Sequence, residues 1–195
     1  MSASATLSAR DATYETVDGL TGEIITAWAV PHPDEFMGDY IEDERLGGLY
    51  ETVLDNHRGQ LGWLDRWRVK VIWKRKGGEN SGKARLGKCT VPSGVAQFYS
   101  KADFIIVLSA NHCRELTLTP FQMAALLYHE LLHCAESDGD DPQPTTAGHD
   151  LEVFADEVRH YGAWRSNIEK LRLPFRQLEL READTPLGPS EAAAS

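Results

Sequence analysis

His129-Glu130-Leu131-Leu132-His133, inside Tyr128-His129-Glu130-Leu131-Leu132-His133-Cys134, follows the HExxH pattern. On a helix, residues four apart stand one turn above one another, so both imidazoles project the same way and their nitrogens can converge on one metal ion. Glu130 is displaced by about 100° around the axis and can reach a water without ligating the metal. Two neutral imidazoles and a third protein ligand leave one tetrahedral position for water, whose pKa zinc lowers to about 7. Glu130 is then placed to take the proton. At this chain's own His and Glu frequencies, about 0.02 chance matches to the pattern are expected. The ordinary alternative buries two imidazoles and a carboxylate together with no compensating ion, which is costly, so a metal site is the better reading.

A third ligand is expected downstream, and Gly148-His149-Asp150-Leu151-Glu152 offers His149 and Glu152. Each has a plain alternative: His149 starts a helix, and Glu152 is a solvated carboxylate favoured in a first turn. Glu152 follows His133 after eighteen intervening residues, with Asp156 one turn later to orient an imidazole. His149 sits three residues before Glu152 on the same helical face, with Asp150 or Glu152 behind it. His149 is preferred and Glu152 stays open. His160 and Tyr161 are candidates to stabilise an oxyanion. His112 reads as structural. Asp138, Asp140 and Asp141 lack the closing Glu of a calcium loop and read as a solvated acidic stretch. Cys134 is expected to point away from His133 on the helix and to serve packing.

The elements that must hold these residues are legible in outline. Thr119-Pro120 predicts an N-cap and first-turn proline, and Phe121 to Ala135 contains no helix breaker. Leu46, Leu49, Tyr50, Val53 and Leu54 recur at spacings of three and four, which predicts a core-facing helix. Strands are expected at about 68–74, 86–91 and 103–109, the last apolar on both faces and therefore buried. Lys76 to Gly82 reads as a turn or flexible loop. Residues 1–22 and 182–195 read as flexible tails around one domain over 23–181.

The order ADFIIVLSANHCREL, TPFQMAALLYHELLHC, a polar loop and GHDLEVFADEVRHYGAW resembles the phage metallopeptidase domains of bacteriophage and prophage genomes, which are similar in outline to SprT-like zinc peptidases. The resemblance covers roughly 60–165. It implies a small zincin-like α+β domain, with a short mixed or antiparallel sheet packed on the HExxH helix and a further C-terminal helix. It implies His129 and His133 as zinc ligands, Glu130 as the catalytic carboxylate, and a third ligand from the HDLE segment. A protein or peptide would be the substrate, and one strand, Phe104 to Leu108, is expected to run along the cleft and pair with it.

Composition bounds the alternatives. The 195 residues carry a formal net charge of −10, which disfavours a general nucleic-acid binder. Yet ten basic residues against two acidic ones lie between Arg58 and Lys88, interleaved with Trp63, Trp67 and Trp73. A nucleic-acid-associated protein with a structural zinc, binding DNA through segment 58–88, is one alternative. In 68–74, however, charged and apolar residues mostly alternate, as on the wet face of a strand. A peptide-binding pseudo-peptidase is a third possibility. Three cysteines in no close sequence pair suit free thiols and a reducing compartment. With neither a membrane-length apolar run nor a signal-peptide pattern, no membrane partner is expected. A cytoplasmic location is, including host cytoplasm for a phage-encoded chain.

Overall fold

The computed structural model describes residues 12–17, 21–80 and 82–148. His149, Asp150, Glu152, Asp156, His160 and Tyr161 lie outside the described residues, as do the expected C-terminal helix and the expected 182–195 tail. The chain divides into two units between Ala147 and Gly148, and the architecture that follows is that of the first.

Thr13-Tyr14-Glu15-Thr16-Val17, rich in β-branched and aromatic residues, forms β1 (Thr13–Val17), paired antiparallel with β2 (Ile24–Trp28). Part of the stretch assigned to an N-terminal tail is therefore a strand. After β3 (Tyr40–Glu42), Asp43 caps α1 (Glu44–Asn56), its carboxylate accepting the Arg45 backbone N–H at 3.0 Å. A short α2 (Arg58–Leu61) and a 3-10 turn over Gly62–Arg66 lead into β4 (Val69–Lys74). The loop expected at 76–82 is in part a hairpin, β5 (Glu79–Asn80) with β6 (Lys83–Ala84). Then come β7 (Gly87–Thr90), α3 (Gly94–Ser100), β8 (Phe104–Ser109) and α4 (Ala110–Glu115). The last described elements are α5 (Pro120–Leu132), β9 (Cys134–Glu136) and β10 (Pro144–Thr146).

The central sheet has the order β3-β4-β8-β7. β3 and β7 run antiparallel to their neighbours, whereas β4 and β8 are parallel. The class is α+β with a mixed sheet, as the resemblance implied. Phe104, Ile106 and Leu108 alternate along β8 and are fully buried. They join Trp73 of β4, Leu46, Leu49 and Val53 of α1, and Met123, Leu127 and Leu131 of α5 in one core. Burying each such side chain contributes about 1.5–3 kcal/mol. α1 packs on β4, α5 on β7, and the two helices touch each other.

This order corrects one expectation. β8 is paired on both sides, by β4 and β7, so its backbone groups are already used and it cannot add a peptide strand. Among the described residues, β3 and β7 are the edge strands of this sheet. No helix among the described residues is long and apolar enough to cross a membrane.

Candidate metal centre

α5 starts as its sequence dictates. The Thr119 hydroxyl accepts the Gln122 backbone N–H at 3.3 Å, the Gln122 side chain accepts the Thr119 N–H at 2.9 Å, and Pro120 occupies the first turn. Its buried stripe is Met123, Leu127, Glu130 and Leu131. The helical period therefore turns the one carboxylate of the motif into the protein and leaves His129 exposed and His133 half-buried. Glu130 is only 5% exposed.

The helix ends at Leu132, three residues before Ala135. His133 is its C-cap, with its N–H donated to the Glu130 and Leu131 carbonyls, and Cys134 opens β9. No local breaker causes this. Cys134 instead pairs with Thr146 of β10 and buries its thiol beside Cys89 of β7, the sulfurs 3.5 Å apart. Tertiary contacts override helix propensity here. Cys134 does pack in the core, but from a strand, and the thiols that the sequence separates include a close pair. Cys89 is held below the usual thiol value by its hydrogen bond with Cys134, whereas that same contact, together with burial, pushes Cys134 up.

The β9–β10 hairpin folds the chain back onto His133. Ala147 donates its N–H to the His133 carbonyl at 2.9 Å, and its own carbonyl lies 2.8 Å from His133 Nδ1. A carbonyl can only accept, so Nδ1 carries the proton and Nε2 presents the lone pair that a metal needs. The hairpin is anchored by Glu136, which accepts from Arg66 and from the Trp67 indole. The His129 and His133 rings lie 5.0 Å apart, edge to face at 85°. This donor set suits zinc: neutral imidazoles, one of them locked in the required tautomer by a backbone carbonyl. Among the described residues, no group of three or more His, Cys, Asp or Glu side chains is arranged to hold a metal.

The other wall is β7, which sequence reasoning took only as a strand. The Cys89 backbone amide faces the Glu130 carboxylate closely enough to favour its charged form. A Cβ added at Gly87 would meet Glu130 Oε1 at 2.5 Å and its Cδ at 2.7 Å. Gly87 is what lets the strand approach the carboxylate, and a glycine inside a strand-like run was the available signal. Burial raises the Glu130 pKa, opposed by His133, by the Cys89 amide and by the positive charge of Arg85.

His112 lies on α4 with Nδ1 3.5 Å from Glu115, packed so that a Cβ at Gly77 would meet its ring at 2.4 Å. Asp138, Asp140 and Asp141 are exposed in the turn between β9 and β10. A hollow of 340 Å³ lined by Glu35, Ile41, Asp43 and Arg45, among others, contains none of the HExxH residues. In the basic segment, four cations are engaged within the fold: Arg58 with Asp55 and Asp65, Arg66 with Glu136, Arg68 with Asp103, and Lys70 with Glu42. Arg75, Lys76, Arg85 and Lys88 are exposed.

An α+β layer carrying two imidazoles and an inward-turned carboxylate on one helix fits a metal-dependent hydrolase as a class. Residues 38–172, more than half of the chain, match the family described as "Putative phage metallopeptidase", and the chain belongs to that family. Comparisons with curated proteins and with solved structures gave no match.

Proposed function

We propose that the chain is a zinc-dependent endopeptidase that uses the HExxH residues of α5. The observation that carries this is the pairing of the His129 and His133 rings, with His133 Nδ1 committed to Ala147, beside a Glu130 turned towards the edge strand β7. When bound, zinc supplies Lewis acidity to the scissile carbonyl and to the attacking water. Glu130 accepts a proton from that water as its oxygen adds to the carbonyl carbon. It then delivers the proton to the amide nitrogen as the C–N bond breaks, so that one water and one peptide bond become a carboxyl and an amine. The partly apolar setting keeps Glu130 basic. The close approach of β7 at Gly87 leaves room for the carboxylate beside that strand. An extended substrate strand would add to the edge of β7 through main-chain hydrogen bonds, which brings its carbonyls past Glu130.

Gly87 tests this arrangement without touching a ligand. In Gly87→Ala the new methyl displaces the Glu130 carboxylate, the flexible partner in the clash. Hydrolysis of an unfolded protein is expected to fall about 10- to 100-fold, as misplaced catalytic groups do, while metal content and far-UV circular dichroism stay unchanged. Unaltered turnover would remove β7 from the active centre.

His149 is the proposed third ligand, with Asp150 or Glu152 orienting it, because it follows by two positions the Ala147 whose carbonyl holds His133. Glu152, with Asp156 behind it, is the alternative. Bound zinc in His149→Ala and Glu152→Ala decides between them. His149→Ala is expected to lose the metal and Glu152→Ala to keep it, and the reverse result transfers the role to Glu152.

A further inference from the structure

Cys89 and Cys134 reach the site from its two walls. Cys89 lies two residues after Gly87 on the edge strand that closes on the Glu130 carboxylate, and Cys134 directly follows His133. The residues are 45 apart in sequence, yet their sulfurs are 3.5 Å apart, and both side chains are buried in the same core cluster. The third cysteine, Cys113 on α4, is fully buried and is also a free thiol. A disulfide needs its sulfurs at about 2.05 Å, so this pair must close by about 1.5 Å. The two carriers are short, a four-residue edge strand and a three-residue hairpin strand, rather than interior strands of the sheet.

We propose that Cys89 and Cys134 form a reversible dithiol that a low-molecular-weight disulfide such as oxidised glutathione converts to an internal disulfide, tying β7 to the residue after His133. One protein thiolate attacks a glutathione sulfur, which forms a mixed disulfide and releases one glutathione. The second protein thiol, losing its proton, then attacks the protein sulfur of that mixed disulfide and releases the other glutathione. The protein loses two electrons and two protons, and the oxidant becomes two glutathione thiols. Because both sulfurs are buried, the exchange waits on local opening of β7 or the hairpin, which makes it slow. Closing the gap draws the backbone beside His133 towards the strand that holds Glu130, so the bridge disturbs both sides of the centre. This effect on turnover rests on the peptidase reading. The formation of the bridge does not.

The test uses the full chain, zinc-loaded and reduced, freed of reductant and incubated with oxidised glutathione. Free thiols titrated in denaturant are expected to fall from three to one. Peptide mapping without reductant should link the Cys89 and Cys134 peptides, and hydrolysis should drop about 100-fold. Dithiothreitol should restore all of this. Cys89→Ser and Cys134→Ser should each form no internal bridge, and either variant suffices if the other folds poorly. Three thiols after oxidation, or a bridge to Cys113, overturns the proposal. So does loss of a second zinc equivalent in the Ser variants, which would make the pair a metal site. A bridged chain with undiminished hydrolysis overturns its effect on the site. A chain that bridges but hydrolyses nothing in either state refutes the peptidase reading and leaves the dithiol standing, whereas one that hydrolyses and never bridges does the opposite.

Discussion

Glu130→Gln is expected to abolish hydrolysis while leaving the metal in place. The amide keeps the volume and the hydrogen-bonding reach of the side chain towards Cys89 but cannot accept a proton from water. A positioned general base contributes about 10²- to 10⁴-fold, and the loss should fall on kcat rather than on KM. Zinc should stay at the wild-type level, since the two imidazoles, and not Glu130, are the proposed ligands from α5. Turnover retained within a few-fold of wild type would refute the role. The same substitution has an opposite consequence for the metal-free fold. Burial raises the folded-state pKa of Glu130 above its unfolded value of about 4.3. Stability from this group is therefore full below the unfolded value and is lost as pH rises through the raised folded value. Metal-free Glu130→Gln should match wild type near pH 4, within the usual cost of an amide, and melt progressively higher than wild type towards pH 8. Melting curves that run parallel across that range would show that the carboxylate carries no burial penalty.

His133→Ala has the other large expected effect. It removes a proposed ligand and also the side-chain contact to the Ala147 carbonyl that draws the hairpin over the site. Zinc supplied at about 1,000 times its Kd stabilises a binding-competent fold by about 4 kcal/mol. In a chain of this size that is a rise in Tm of about 10 °C. Wild type should show that rise, and His133→Ala should show none. His129→Ala should behave the same way towards zinc while leaving the His133–Ala147 contact intact, which separates ligation from hairpin anchoring. A full zinc-induced shift in either variant would mean that its imidazole is not a ligand.

Much of this centre was legible in the sequence because its determinants are local. Thr119, Pro120 and Gln122 cap α5, its apolar residues recur at helical spacing, and HExxH fixes the relative directions of His129, Glu130 and His133 with no tertiary information. The runs that became β4, β7 and β8 were visible for the same reason. What was not legible depends on contacts between distant segments. Nothing near Cys134 announces that the helix stops at Leu132, because the cause is a thiol 45 residues away and a hairpin partner at Thr146. Nor does the apolar run at 104–109 reveal that it is interior rather than at the edge, since strand order is a property of the whole sheet. β1 was not legible because Thr13 to Val17 is too short, and the composition of the first residues too polar and small, for its β-branched and aromatic content to stand out. Gly87 stood in plain view, but only the folded chain shows what approaches it.

The central claim is that the neighbouring imidazoles of α5 hold a metal ion, and elemental analysis of the purified, untagged full chain tests it most directly. Close to one zinc per chain, removable by a chelator and regained at neutral pH in the wild type but not in His129→Ala or His133→Ala, is the result this account predicts. A wild-type chain that contains no transition metal and takes none up at neutral pH would contradict it.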